Sequence, residues 1–205
     1  LKASSLVKGI SETLTWQPQD KILNGSNKSD LFNNANWRKG FMAFCKFDLS
    51  FEATIYNNQI DELAKLAREH PNMNIMLSHM ATPIAVAGEF GGIEKTKLER
   101  DTIFNAWRDS MSRLAENQNV HVKLSGLAMP ICGFQCHKNQ SAPSPTEVAK
   151  SFGPIINHAI DKVSLPLSTL IEAYQMIFEN LADEHKRKIF YSNAMNFYKI
   201  NTASI

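Results

Sequence analysis

Between Leu49 and Leu127 the hydrophobic pattern switches repeatedly between the period of a strand and that of a helix, and this constrains the fold more than any other feature. Leu49–Tyr56 (LSFEATIY) alternates and is rich in aromatic and β-branched residues, which predicts a strand. Asn57 is the predicted cap of a helix in which Ile60, Leu63, Ala64, Leu66 and Ala67 recur at helical spacing up to His70-Pro71. Met73–Pro83 then reads as a short apolar strand that ends at His79 and leaves through a loop of small residues. Leu98–Asn117 places Ile103, Trp107, Met111, Leu114 and Ala115 on one helical face, and Val120–Leu127 (VHVKLSGL) is a further strand. Strands joined by single helices form βαβ units, a parallel sheet and right-handed crossovers. That leaves a barrel or a doubly wound sheet, and no G-x-G-x-x-G or Walker motif follows any strand to favour a nucleotide fold.

The flanks fit one domain spanning residues 1–205. Leu6–Leu14 predicts a strand, Thr15–Asn36 a loop and Trp37–Phe47 a helix. Ala85–Lys97 contains Gly88, Gly91 and Gly92 in a long loop able to reach over a site, and Ala128–Pro145 is irregular. Pro145–Ile160 reads as a helix interrupted at Gly153-Pro154. Ser168–Asn180 and Asp183–Phe190 follow as helices, and Asn193–Tyr198 as a last helical turn. The net charge is only +2, with acids and bases interspersed, so a nucleic-acid surface is not expected. No apolar run approaches the roughly 18 residues of a membrane span, and Leu1–Glu12 has no signal-peptide core. The chain begins at Leu1 without an initiator methionine, which predicts processing or a start inside a longer protein.

Ile75, Leu77 and His79 share parity and are expected on one face of their strand. The C-terminal tip of a barrel strand is where catalytic groups are presented; the plainer reading of His79 is a core histidine satisfied by a loop carbonyl. His121, Lys123 and Ser125 share parity opposite Val122 and Leu124. Lys123 and Glu52 are each open to a second reading as members of a structural ion pair, and Ser125-Gly126 to one as turn chemistry. Cys45, Cys132 and Cys136 form no disulfide framework and fit a reducing, cytoplasmic setting. Cys132, Cys136 and His137 lack the spacing and the fourth ligand of a zinc signature.

The succession VKGI (7–10), LSFEATIYNNQIDELAKLA (49–67), IMLSHMATP (75–83), NAWRDSMSRLAENQNVHVKLSGLAM (105–129) and NAMNFYKI (193–200) resembles the amidohydrolase-related (amidohydrolase type 2) hydrolases, in the branch with L-fuconolactonase and 2-pyrone-4,6-dicarboxylate lactonase. The resemblance implies a (β/α)8 TIM barrel of the metal-dependent hydrolase type and hydrolysis of a lactone of a sugar acid or related carboxylate by water attack on the ring carbonyl. It implies His79 as the residue that polarises the carbonyl or binds a divalent, zinc-type metal, and Glu52, Lys123 and Ser125 as substrate-binding. It implies a small-molecule substrate; charge and hydropathy argue against nucleic acid and membrane as partners, and self-association is left open. Departures from the family pattern are also visible. The first-strand D-x-H-x-H ligands have no counterpart before Val7, and Gly9-Ile10-Ser11 lacks the family's arginine. One late strand with its acidic tip is missing where Ile160 runs into Asp161-Lys162-Val163-Ser164. The expected barrel is therefore incomplete, lacking its first strand and a late one, and the general base is unassigned. A catalytically silent binding or oligomerising relative is the alternative.

Overall fold

The computed structural model describes residues 7–88, 90, 96–134, 143–162 and 177–200. Four strands, β1 (Gly9–Thr13), β2 (Ser50–Thr54), β3 (Ile75–Leu77) and β4 (Val120–Val122), pair in sequence order, and every pairing is parallel. The crossovers carry α1 (Ala35–Cys45), α2 (Ile60–Glu69) and α3 (Lys97–Leu114). This is the expected βαβ succession, and among the described residues it amounts to half the eight strands of a closed barrel. α4 (Pro145–Lys162), α5 (Asp183–Arg187) and α6 (Asn193–Phe197) complete the described elements, and none of the described helices is long and apolar enough to cross a membrane.

The two faces of the sheet differ in chemistry. Phe51 and Ala53 of β2 align with Ile75 and Leu77 of β3 and with Val120 and Val122 of β4. These six are almost fully buried and form one core with Phe41 of α1, Leu63, Leu66 and Ala67 of α2, and Trp107, Met111 and Leu114 of α3. Phe51 stands edge-on to Phe41 and Trp37 at centroid distances of 5.1 and 5.9 Å, which identifies this as the helix-covered face. The opposite face reads Ser11, Glu52, Met76 and His121 across one level of the register. Here α6 closes in: the Phe197 ring lies 4.9 Å from that of His121.

Local signals account for most boundaries. Asn34 caps α1 by accepting from the backbone N–H groups of Asn36 and Trp37, so the helix begins two residues before the expected Trp37. Thr96 and Glu99 form a capping box at the start of α3. Three expectations need correction. Asn57 does not cap α2: residues 57–59 make one tighter turn, and the Asn57 side chain accepts instead from Ile84 N–H. Pro154 does not interrupt α4, which runs through it because Phe152, Ile155, Ile156 and Ala159 stay buried on one face. The central strand does not reach His79; it ends at Leu77. The predicted helix at Ser168–Asn180 falls largely outside the described residues, as do Cys136 and His137.

Candidate active site

After Leu77 the backbone enters a left-handed turn. His79, Met80, Ala81 and Thr82 all have positive φ, between 38 and 60°, and none is glycine. Such a run costs roughly 1–2 kcal/mol per residue in L-amino acids and persists only where the surroundings fix it. Here Met80, Ala81 and Thr82 are buried, and Trp107 Nε1 donates to the Met80 carbonyl at 2.9 Å. The parity expected for His79 is thereby overturned. Ile75 and Leu77 face the helices, and the turn carries the imidazole away from them.

The imidazole meets the exit of β4, where Nδ1 lies 2.8 Å from Ser125 Oγ. Gly126 follows with φ +84°, and its missing side chain makes room for the ring: a Cβ there would sit 2.7 Å from His79 Cβ. One residue earlier in the turn, Ser78 Oγ donates to Glu52 Oε1 at 2.5 Å. Lys123 Nζ donates to both Glu52 oxygens at 2.6 Å, crossing behind β3 on the polar face of the sheet. The Lys123 ammonium also lies 6.0 Å from the centroid of Tyr198. Of the four residues singled out in the sequence, His79, Lys123 and Ser125 thus follow the C-terminal ends of β3 and β4, and Glu52 reaches Lys123 from the middle of β2.

The electrostatics follow from this packing. Burial pushes Glu52 up, but the hydrogen bonds from Lys123 and Ser78 outweigh it and hold the carboxyl below its usual range. Burial pulls Lys123 down, and Glu52 more than restores it, leaving the ammonium harder to deprotonate than usual. His79 is pushed down first by burial and then by the Lys123 charge, with Glu52 opposing, so the neutral imidazole is favoured. His121 lines the same face; burial lowers it too, and its buried Nδ1 has no partner among the described residues.

Ser78 and Tyr198 are members of this cluster that the sequence reading missed, and Gly126, read there as turn chemistry, also makes room for the ring. Ser78 was within reach, being a lone hydroxyl in the parity of Met76 at the end of an apolar strand. Tyr198 carries no such signal, since only the fold brings it to Lys123. Among the described residues the donors do not suit a zinc-type ion. No three His, Cys, Asp or Glu side chains converge among the described residues, and Glu52 commits both oxygens to an ammonium.

The family model for amidohydrolases matches residues 21–200. An uncharacterized protein, y4mH, of Sinorhizobium fredii is 25% identical over 198 residues, covering 94% of this chain and 61% of its own length. An L-fucono-1,5-lactonase of Burkholderia ambifaria is 33% identical over 85 residues, 42% of this chain and 24% of that enzyme. The crystal structure of a Burkholderia multivorans amidohydrolase with bound zinc superposes with a TM-score of 0.68 at 15% identity, over 95% of this chain and 65% of that one. The chain therefore spans less than two thirds of the length of these relatives.

Proposed function

Since the chain belongs to the amidohydrolase family, we propose that it is a hydrolase of small lactones of sugar acids or related carboxylates, with His79 at the reacting carbonyl. The observation that carries this reading is the pairing of a half-buried, neutral-leaning imidazole with the Ser125 hydroxyl at the ends of parallel strands. If Ser125 O–H donates to Nδ1, the proton of the neutral ring resides on Nε2. That N–H then donates to the carbonyl oxygen as water attacks and negative charge develops there. Preformed donors of this kind contribute about 3–4 kcal/mol of transition-state stabilisation. Lys123 supplies fixed positive charge for an anionic or polyhydroxylated substrate, and Glu52 with Ser78 holds that ammonium in place. Glu52 is a poor general base near neutrality because its ion pair disfavours the protonated form. The proton of the attacking water therefore goes to a group outside these four. A small-molecule substrate, with neither nucleic acid nor membrane as partner, belongs to the same reading.

A catalytically silent relative that binds rather than turns over is the second reading. It is favoured by the engagement of Glu52, the one carboxylate of the cluster among the described residues, with Lys123 and Ser78. A panel of sugar 1,4- and 1,5-lactones, followed by acid release, separates the two. Turnover that disappears in His79→Gln and survives in Lys186→Ala supports the hydrolase. Absence of turnover with every lactone, with and without added divalent metal, supports the silent protein.

A further inference from the structure

The opposite, N-terminal end of the sheet holds a cleft of about 220 Å³ that the lactonase reading does not use. Its walls come from four separate stretches of chain: the entries of β1, β2 and β3, and the end of α6. We propose that this cleft is a second binding site, for a small monovalent hydroxycarboxylate of the size of a sugar acid.

The charge, the hydrogen-bonding groups and the size each support that class. Lys8 and Lys199 stand against Asp48, an excess of one positive charge, and no carboxylate pairs with Lys8 among the described residues. Asn72 and Asn74 also line the cleft, and their side-chain amides make no hydrogen bond among the described residues, leaving donors and acceptors suited to hydroxyl groups. Phe47 adds a partly exposed ring against which a carbon skeleton can lie. The volume is below the roughly 300 Å³ at which pockets begin to hold drug-sized molecules.

Two non-glycine residues beside the cleft, Asp48 and Lys199, hold left-handed backbone. α6 ends in a cap whose Ile200 and Lys199 N–H groups reach back to the Met195 and Asn196 carbonyls. The left-handed position of such a cap usually belongs to glycine, yet here it is Lys199, with φ 50°. The Lys199 ammonium pairs with Asp48, itself at φ 53°, so two left-handed side chains clasp one wall of the cleft. Outliers of this type gather at ligand clamps. Tyr198 lines the cleft and also carries the Lys123 ammonium against its ring, which places an occupant one side chain away from the Glu52–Lys123 pair.

This inference does not depend on lactone hydrolysis, and its test needs no turnover. Backbone amide NMR of the full chain is recorded during titration with D-gluconate, D-glucose and inorganic phosphate. Saturable shifts confined to residues 47–50, 72–74 and 197–199 are expected with gluconate, and much weaker ones with glucose or phosphate. Lys8→Gln and Asn74→Ala remove exposed, unpaired side chains and leave the fold intact; the first is expected to weaken gluconate binding about tenfold, one lost charge-assisted contact, and the second about fivefold, one lost neutral hydrogen bond. The proposal is overturned if gluconate shifts only residues 78–82 and 123–126, if it produces no saturable shift, or if glucose or phosphate binds equally well. It is also overturned if both variants bind gluconate as the wild type does.

Discussion

Substituting Gly126 by alanine tests whether the room beside His79 is a requirement of the site. Gly126 has φ +84°, where an L-residue costs roughly 1–2 kcal/mol. The new Cβ would also lie 2.7, 2.8 and 2.9 Å from Cβ, Cγ and Nδ1 of His79. These atoms are the root of the side chain and cannot swing clear without moving the left-handed turn. Overpacking of that kind costs about 1–3 kcal/mol, so the expected loss is about 2–5 kcal/mol by urea denaturation. Gly40→Ala is the control: an added Cβ there has nothing within 4 Å, and a solvent-facing helical glycine gains about 0.5–1 kcal/mol on substitution. Side-chain ¹⁵N NMR of His79 reports whether the Ser125 contact survives. The reasoning is refuted if Gly126→Ala loses less than about 1 kcal/mol and the His79 signal keeps its wild-type tautomer.

The remaining predictions concern groups whose surroundings are equally well defined. A double-mutant cycle of Glu52→Gln and Lys123→Met should give a coupling of about 1–3 kcal/mol, between the values for exposed and fully buried pairs, since the two side chains are 22 and 29% exposed; independent, additive losses would contradict this. Glu52 is depressed below its ordinary 4.5, so its contribution to stability is present above that value and is lost as pH falls through the folded pKa. Lys123 is raised above 10.5, so its contribution is present below that value and is lost as pH rises through the folded pKa. The wild type, compared with the double variant by denaturation across pH, should therefore show its excess stability between these limits, and a flat difference would disprove the pairing. Burial pushes the Cys132 thiol up to about 12, so the folded chain should resist alkylation there at mildly alkaline pH, with peptide mapping as the readout.

Much of the fold was legible because the crossover rule leaves few options once strand and helix periods alternate. His121 and Lys123 could be placed on one face because β4 is regular enough for parity to hold, whereas Glu52 was singled out by the family resemblance and not by parity. Pro154 misled because its penalty is local, whereas the burial that sustains α4 is tertiary. Tyr198 was invisible for the same reason: 75 positions separate it from Lys123, and only the return of α6 across the polar face joins them.

His79 shows most clearly where sequence parity stops. It does share parity with Ile75 and Leu77, but those two side chains point into the helix-covered core. An extended continuation of β3 would therefore bury the imidazole among aliphatic side chains, with no partner for its nitrogens. The left-handed turn reverses that outcome by rotating the ring toward Ser125 and the space above Gly126. No glycine marks the turn, because its stability comes from elsewhere: the Trp107 indole on the Met80 carbonyl and the burial of Met80, Ala81 and Thr82. The strain is thus offset by α3, a helix that contributes none of the four candidate side chains. Trp107→Phe keeps most of the packing and removes the indole hydrogen bond to the Met80 carbonyl. It should therefore loosen His79 more than it lowers overall stability, an outcome read as broadening of the His79 and Ser125 signals at a cost near 1 kcal/mol. A large stability loss with sharp, unshifted His79 resonances would show that the turn is held by something other than this bond.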